Sequence, residues 1–304
     1  MNSWGYRAGV LLVAAAMLAS VGAATASAKK KPKATPHYYL ALGDSLSVGF
    51  QPNPQGVGME TTQGYTNDLF AYEKKTVPNL QLVEMGCPGD TTTSLLTGKG
   101  NTANAKTFKC DRSGGSQLKA AEKFLKSHHK KGEVVLVSLD IGANDVDGCA
   151  DVPTSQLGAC VTDGENSIKT NTPKILNGVR GAAAKGTALA AMNLYDPVLG
   201  DYFSSTKKDL ATVSVSLLKG INTDIMSADT AGKFKTADVA DAFDTYNTTT
   251  MVPYHGQRVP KDVAVVCTLT WACTAPPQGP NIHAKKTGYA LIAKAFEAVV
   301  GKLH

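Results

Sequence analysis

The sequence has no Cys-x-x-Cys spacing and no pair of histidines at the distance expected of zinc ligands. We therefore expect no metal, and nothing in the chain implies an organic cofactor. The net charge is +6, but the lysines and arginines are not interleaved with aromatic residues along one stripe, which argues against binding of nucleic acid. No internal repeat and no interdomain linker is visible, so we expect one domain after the N-terminal segments.

The first 28 residues have the pattern of a secretory signal peptide. Arg7 is the only charged residue before an apolar stretch at residues 10–21, and Ala26-Ser27-Ala28 has the small side chains that signal peptidase accepts. The apolar stretch is short and rich in alanine, which makes it a poor membrane span, although an uncleaved anchor stays open. We predict cleavage after Ala28 and export of the protein.

A basic segment at residues 29–36 follows the predicted cleavage site. It contains the run from Lys29 to Lys33, which we expect to form a flexible, solvated tail. Weak contact of this run with an anionic envelope surface is an alternative. Residues 37–304 form the predicted domain, long enough for one substantial core, and we expect a monomer.

Six cysteines in an exported chain favour a disulfide framework over metal ligation. Six cysteines allow fifteen pairings, so the connectivity is open from the sequence. Closure of the nearest loops favours Cys87–Cys110, Cys149–Cys160 and Cys267–Cys273.

Apolar runs and helical periodicities alternate along the chain. We predict strands at residues 38–42, 80–85, 133–141, 187–194 and 235–240. We predict helices at residues 65–75, 116–131, 165–184 with a break near Pro173, 207–227 and 288–303. Such alternation indicates an α/β protein with a parallel sheet covered on both faces, whereas residues 51–64 and 245–280 read as long irregular loops.

Polar or small residues follow three of the predicted strands directly. Ser45 follows the first strand, Gly86 the second and Asn144 the third. Ligands of such sheets bind beyond the carboxyl ends of the strands, so these residues mark a candidate site.

The three residues match what acyl transfer requires. Ser45 can act as the nucleophile, and its backbone N–H, which we expect to open a helix, can donate to an oxyanion. The backbone N–H of Gly86 and the side-chain amide of Asn144 can be further donors, and a glycine permits close approach of a substrate.

A histidine is needed as the general base. His283 directly precedes the last helix, from which a loop can reach the end of the first strand, so we assign it this role. His255 in the loop at residues 245–280 is the reserve. The remaining histidines lie beside the tail, among lysines or at the C-terminus: His37, His128, His129 and His304.

Four segments occur in the order of the four sequence blocks of the SGNH (GDSL) hydrolases: "GDSLSVGF", "GCPGDTT", "GAND" and "NIHAKKTGYALIA". The chain resembles this family from Tyr38 onward, and more narrowly its secreted, disulfide-containing actinobacterial branch. The resemblance implies a flavodoxin-like three-layer α/β/α sandwich with a five-stranded parallel sheet. It also implies ester hydrolysis through Ser45 and His283, with Ser45, Gly86 and Asn144 around the oxyanion. The Gly-x-Ser-x-Gly elbow of α/β-hydrolases is missing.

The chain departs from the family pattern before the histidine. The family has an aspartate three residues before it, where this sequence has Pro280, followed by Asn281. We therefore expect a Ser45–His283 dyad whose histidine is oriented by the main-chain carbonyl of Pro280 or of a near neighbour. An aspartate from elsewhere, such as Asp262, is the alternative.

Three further residues near the motifs have two interpretations each. We expect Asp44 to hold the nucleophile turn rather than to move protons, and Asp90 to be an ordinary loop residue. Trp271 either packs over a disulfide or lines an acyl pocket.

The sequence thus predicts a secreted serine esterase or lipase that acts on small-molecule or lipid carboxylic esters. An acyltransferase or deacetylase acting on envelope lipids or polysaccharides is the second reading. A non-catalytic binding module on the same fold is the third.

Overall fold

The computed structural model describes residues 35–303. The predicted signal peptide and the lysine run of the predicted tail lie outside the described residues. Within residues 35–303, no helix combines the length and the apolar character needed to cross a bilayer.

Five parallel strands form the central sheet, and two short antiparallel hairpins lie outside it. The nine strands within the described residues are β1 (His37–Gly43), β2 (Gln51–Pro52), β3 (Gly58–Met59), β4 (Leu80–Glu84), β5 (Val134–Asp140), β6 (Ala188–Met192), β7 (Lys235–Ala237), β8 (Met251–Tyr254) and β9 (Gln257–Pro260). The sheet order is β4-β1-β5-β6-β7, so the chain crosses from one side of β1 to the other between β4 and β5. This is the strand order of flavodoxin-like sheets, in which ligands bind at the crossing point. The predicted five-stranded parallel sheet is confirmed.

Helices cover both faces of the sheet. They are α1 (Tyr65–Glu73), α2 (Thr92–Thr97), α3 (Thr102–Thr107), α4 (Gln117–Ser127), α5 (Ala143–Val146), α6 (Thr154–Ala182), α7 (Lys208–Gly232), α8 (Val239–Ala242), α9 (Lys261–Leu269) and α10 (Lys286–Val300), with 3-10 turns at Asp147–Asp151 and Pro197–Phe203. α1 and α10 pack against one face, while α2, α4 and α6 pack against the other, and α7 packs beside α6. The three-layer α/β/α prediction is confirmed.

Strand β1 shows how the sequence builds the two cores. Successive side chains of a strand point to opposite faces, so a strand covered on both sides must be apolar throughout. Tyr39 and Ala41 enter the core below α1 and α10. Leu40 and Leu42 enter the core below α4 and α6, and all four are fully buried.

Helix α6 corrects the prediction of a helix at residues 165–184 with a break near Pro173. The helix begins at Thr154 and runs through Pro173 without interruption. Proline removes one backbone hydrogen bond of the helix. Buried residues on both sides, including Ile168, Ile175 and Val179, pack the helix against its neighbours and keep it continuous.

Three further predictions of strands and loops were also wrong. Strand β7 ends at Ala237 rather than at residue 240, because Asp238 accepts a hydrogen bond from Asp241 N and starts α8. The predicted irregular stretch 245–280 contains the hairpin β8–β9 and helix α9. The predicted loop 51–64 contains the short hairpin β2–β3.

Candidate active site

Ser45 lies in the turn that follows β1, with only 6% of its surface exposed. The prediction that Ser45 opens a helix was wrong: residues 45–49 form consecutive turns, closed by a bond from Phe50 N to Ser45 O of 3.0 Å. Gly43 starts the turn with a φ of +138°, and a Cβ there would collide with the backbone oxygen of Asp140. Glycine is the residue that reaches this conformation without strain, so the chain can leave the strand sharply and present the serine.

His283 meets Ser45 at this turn. Its Nε2 lies 2.8 Å from Ser45 Oγ, although 238 residues separate the two in sequence. The backbone bonds that hold the loop before α10 include those from Trp271 N to His283 O at 3.0 Å and from Asn281 N to Trp271 O at 3.1 Å. The ring of Phe50 packs beside the imidazole at 4.8 Å between centroids.

The side chain of Asn281 orients the imidazole. Its Oδ1 lies 2.7 Å from His283 Nδ1 and also accepts the backbone N–H of His283 at 3.0 Å. A backbone N–H is always a donor, so the amide atom it meets must be the oxygen. His283 Nδ1 then carries a hydrogen that it donates to Asn281, and Nε2 is left as the acceptor facing Ser45.

This arrangement corrects the predicted orienting group. The carbonyl of Pro280 accepts no hydrogen bond from His283 among the described residues. Asp262 Oδ1 accepts the N–H of Val263 at 2.8 Å and has no bond to the histidine. A neutral amide therefore takes the position that an aspartate usually holds in such triads.

Burial lowers the pKa of His283 from 6.5 to about 4. The imidazolium form loses much of its hydration in the site, and no carboxylate in the described part of the chain bonds to the ring to compensate for that loss. The imidazole is therefore neutral at pH 7 and can accept a proton from Ser45.

The alternative candidate for the general base, His255, does not lie at the Ser45 turn. His255 is exposed in the turn between β8 and β9, where its ring contacts Tyr254 at 4.3 Å. It makes no hydrogen bond to Ser45 in the described part of the chain.

Two of the three predicted oxyanion donors have a free hydrogen. The backbone N–H groups of Ser45 and Gly86 meet no acceptor within residues 35–303. The side-chain amide of Asn144 differs, because its Nδ2 already donates to Asp44 Oδ2 at 3.1 Å and to Asp90 O at 3.0 Å. Gly86 packs against Ser47 Oγ, with which a Cβ would collide, and it lines the space beside Val48 and Phe108 rather than the cleft at Ser45.

Asp44 stabilises the turn through side-chain hydrogen bonds, in line with its predicted structural role. Its Oδ1 accepts the N–H of Leu46 at 3.0 Å, and the hydroxyl of Ser45 lies 3.4 Å from the same oxygen. Burial raises the pKa of Asp44 to about 6. Asp140 lies beside it, where burial and the neighbouring carboxyl raise the pKa of Asp140 well above its ordinary value.

Asp90 lies in a loop, but the expectation that it is an ordinary loop residue was wrong. It is fully buried and bonded to four side chains: Ser94 (2.8 Å), Asn101 (2.9 Å), Arg112 (2.5 Å) and Gln117 (2.9 Å). Gln117 in turn bonds both backbone atoms of Gly43, accepting from N at 2.8 Å and donating to O at 2.9 Å. Asp90 thus anchors the end of β1 from which Ser45 projects. Asp90 belongs to the sequence motif "GCPGDTT", but the motif alone does not predict that Asp90 anchors β1.

The three disulfides join Cys87 to Cys110, Cys149 to Cys160 and Cys267 to Cys273. These are the pairs that local closure favours. Cys87 follows Gly86 directly, and the Cys267–Cys273 bridge encloses Trp271.

Trp271 is not among the residues that line the cleft at Ser45. Lys285 Nζ lies over its ring at 5.6 Å from the centroid, and its backbone N–H and carbonyl hold the histidine loop. The packing interpretation of Trp271 is therefore the better one.

No family model matches the sequence, and no curated protein matches it. Solved structures do match. An extracellular lipase from Streptomyces rimosus is 16% identical, with coverage of 86% of this chain and 99% of the lipase, at a TM-score of 0.54. Phospholipase A1 from Streptomyces albidoflavus is 16% identical. The match covers 87% of this chain and 99% of the phospholipase, at a TM-score of 0.53. LAE5, an alpha/beta hydrolase enzyme from the metagenome of Lake Arreo in Spain, is 20% identical. The match covers 90% of this chain and 98% of LAE5, at a TM-score of 0.51. The chain therefore shares the α/β fold of these hydrolases over nearly their whole length.

Proposed function

We propose that this protein is an exported carboxylic ester hydrolase of the SGNH type. The observation that carries the proposal is the chain of contacts from Ser45 Oγ through the two ring nitrogens of His283 to Asn281 Oδ1. A hydroxyl, a neutral base and an orienting acceptor in this order are the parts of a serine hydrolase triad.

The geometry supports the usual two-step reaction. His283 Nε2 takes the proton of Ser45 as Oγ attacks the ester carbonyl carbon, and the carbonyl oxygen becomes an oxyanion. Imidazolium then gives that proton to the departing alkoxide, which leaves an acyl-enzyme on Ser45. Water, deprotonated by the same histidine, attacks the acyl carbon and releases the carboxylic acid and the free serine.

We expect the oxyanion to take its hydrogen bonds from the backbone N–H groups of Ser45 and Gly86, because neither N–H meets an acceptor within residues 35–303. Donors aimed at the oxyanion supply much of the rate enhancement in acyl transfer. Asn144 joins them by giving up one of its two present bonds, to Asp44 or to Asp90. Before substrate binds, the side chain of Asn144 links the turn at Asp44 to the loop at Asp90 by hydrogen bonds.

Export is supported by the three disulfides, which persist in oxidising compartments. It is also in keeping with the predicted signal peptide. Secretion of the processed protein, with an N-terminus after Ala28, is the corresponding expectation.

Hydrolysis of p-nitrophenyl butyrate by the purified protein tests the proposal. We expect Ser45→Ala to reduce kcat at least about a thousandfold, because the nucleophile is lost. Ser127→Ala, at an exposed position at the end of α4, is the matched control and should leave the rate unchanged. A fluorophosphonate probe should add its mass at Ser45 in the wild type. Equal turnover by wild type and Ser45→Ala, or no labelling of folded protein, would overturn the proposal.

A further inference from the structure

A groove of about 200 Å³ adjoins the cleft at Ser45 on the side of the loop before α10. Residues 280–282 of that loop line the groove, together with parts of the 3-10 turns Asp147–Asp151 and Pro197–Phe203. Three residues line both the groove and the cleft, so a substrate held at the nucleophile extends directly into the groove: Asp147, Pro197 and Ile282.

We propose that this groove holds the alcohol moiety of the ester, and that the carboxylate of Asp147 makes the enzyme select alcohols that carry a protonated amine. The inference rests on the proposed function and names the substrate class of the same site. It makes Asp147 a specificity-determining residue.

The position of the histidine assigns the groove to the alcohol. The base that takes the proton of Ser45 returns it to the departing alkoxide, so the alkoxide oxygen must lie next to His283 Nε2. Ile282, which lines the groove, directly precedes His283. The apolar cavity between α6 and α7 also adjoins the cleft, but within residues 35–303 its lining contains no residue of the loop before α10.

Asp147 brings an unpaired carboxylate to the junction of cleft and groove. The residue is half-buried, and within residues 35–303 its side chain makes no hydrogen bond and no ion pair. Burial raises the pKa of Tyr195, a residue of the cleft, and the charges of Asp44 and Asp147 raise it further. The carboxylate of Asp147 therefore lies on the side of the cleft.

The groove has an excess of negative charge. In the described part of the chain its lining has three carboxylates, those of Asp147, Asp151 and Asp201, and one ammonium group, that of Lys207. Lys207 pairs with Asp151 at 2.8 Å. Three carboxylates against one ammonium group give a net charge of −2 when all are ionised, whereas the whole chain carries +6. A cleft lined by one sign of charge attracts substrates of the opposite sign, so the groove favours cationic alcohols over anionic ones.

The lining favours an amine that keeps an N–H over a quaternary ammonium group. Quaternary groups bind to the faces of aromatic rings, and no aromatic residue is among the described residues that line the groove. A protonated amine can instead donate a charge-assisted hydrogen bond to Asp147. We therefore expect protonated tertiary amines to be preferred over choline-like groups.

The first experiment compares two pairs of butyrate esters on the wild-type protein at pH 7. 2-(Dimethylamino)ethyl butyrate carries a protonated amine, and 3-methylbutyl butyrate has the same shape without the charge. Butyrylcholine and 3,3-dimethylbutyl butyrate are the quaternary pair. We expect kcat/KM for the amine ester to exceed that for its neutral counterpart by about 5- to 30-fold, between the values for an exposed ion pair and for a hydrogen bond to a charged group. The quaternary pair should differ by less than about threefold. Equal values in the first pair would overturn the selectivity, and this comparison needs no variant to fold.

Asp147→Asn removes the charge and keeps the shape of the side chain. We expect the preference for the amine ester to fall below about threefold, mainly through a higher KM, because the amine lies away from the reacting bond. Asp209→Asn removes the same charge at an exposed position in the first turn of α7, outside the lining of the groove and the cleft, and should leave the preference unchanged. A preference that survives Asp147→Asn would overturn the role of Asp147.

The pH dependence of the preference separates an effect of charge from an effect of shape. Burial raises the pKa of Asp147 to about 6, and the charge of Asp151 adds to this shift. The carboxylate is therefore largely ionised at pH 7 and largely protonated at pH 5. We expect the preference for the amine ester over 3-methylbutyl butyrate to fall by at least about threefold from pH 7 to pH 5. A preference that is equal at the two pH values would contradict recognition by this charge.

Other titratable groups line the spaces that Asp147 lines: Asp44, Asp151, Tyr195, Asp196, Asp201, Lys207 and His283. Burial raises the pKa values of Asp44 and Asp196 to about 6, so these carboxyls titrate over the same interval. Asp147→Asn removes the titration of Asp147 alone, so we expect the ratio of the two esters for this variant to be the same at pH 5 and pH 7. A fall as large as that of the wild type would assign the effect to another group and overturn the role of Asp147.

An amine on the acyl side tests the assignment of the groove to the alcohol. Ethyl 4-(dimethylamino)butanoate and ethyl 5-methylhexanoate differ by the same charge, now carried by the acyl group. We expect these two esters to differ by less than about threefold in kcat/KM. A preference for the amine in this pair, and not in the alcohol pair, would overturn the assignment. Absence of all ester hydrolysis in the wild type would overturn the proposed function, which is a separate outcome.

Discussion

Asn281 Oδ1 accepts two hydrogen bonds from one residue, His283, through its ring Nδ1 and its backbone N–H. The pair fixes the tautomer of the imidazole, and it does so without a negative charge. No carboxylate within residues 35–303 bonds to the ring to stabilise its protonated form, and burial lowers the pKa of His283 to about 4.

The acid limb of the pH–rate profile should reflect this arrangement. The base must be neutral, so activity is lost as the pH falls through the pKa of His283. We expect kcat/KM for p-nitrophenyl butyrate to decline with a midpoint near pH 4, well below the ordinary value for histidine. Asn281→Asp should move this midpoint upward by about 1–3 pH units, because a carboxylate stabilises the imidazolium. Product formation in quenched samples from pH 3 to pH 8 measures both profiles.

Asn281→Ala serves as the control for this prediction. It removes the acceptor without adding a charge, so kcat should fall while the acid limb does not move upward. An Asn281→Asp profile that coincides with the wild type would show that Asn281 does not act on the ring.

The sequence predicted most of the sheet because β1, β5 and β6 are short, largely apolar runs followed by a glycine or a polar residue, and β4 alternates apolar with polar residues before Gly86. It did not predict α9, since Lys261–Leu269 contains three valines and a helix of this composition depends on packing. Val263, Val266 and Cys267 are buried there, and this tertiary burial outweighs the local preference.

The site was predictable to the extent that strand ends meet at one edge of a parallel sheet. Ser45 could be identified in this way, and His283 from its position shortly before the last helix. Asn281 orients His283 only because of the conformation that its side chain adopts within a loop. Asp90 anchors β1 through side-chain partners up to 27 residues away in sequence. No local sequence pattern predicts either of these interactions.

Asp90 should matter more for stability than its loop position suggests. Asp90→Ala leaves Arg112, which is largely buried, without its 2.5 Å partner and frees Gln117 from one of its bonds. Breaking a buried ion pair from one side costs about 3–5 kcal/mol. We expect the free energy of unfolding in urea to fall by about this amount, and kcat to fall with it, because the end of β1 loses its anchor.

Asp111→Ala is the matched control for Asp90, since Asp111 is exposed and adjacent to Arg112. It should change the unfolding free energy by less than about 0.5 kcal/mol. Adding Arg112→Met to Asp90→Ala should recover part of the loss by removing the unpaired cation. Equal urea midpoints for Asp90→Ala and the wild type would contradict the anchoring role.

Asp229 destabilises the protein at neutral and basic pH. It lies near the end of α7, where Oδ2 accepts the hydroxyl of Thr236 at 2.8 Å and Oδ1 is buried without a partner in the described residues. Burial raises the pKa of Asp229 from its ordinary value of 3.8 to about 7. Between these values the folded state holds a proton that the unfolded state has lost, so the contribution of this group to stability falls as the pH rises.

Asn at this position stays neutral at every pH and still offers an acceptor to Thr236. We expect Asp229→Asn to be more stable than the wild type by about 1–3 kcal/mol at pH 8, with the difference shrinking toward zero near pH 4. Urea unfolding at pH 4.5, 6 and 8 measures this trend, and Asp163→Asn, on the exposed side of α6, should show no comparable gain at pH 8. A gain that is the same at all three pH values would rule out the titration of Asp229 as its cause.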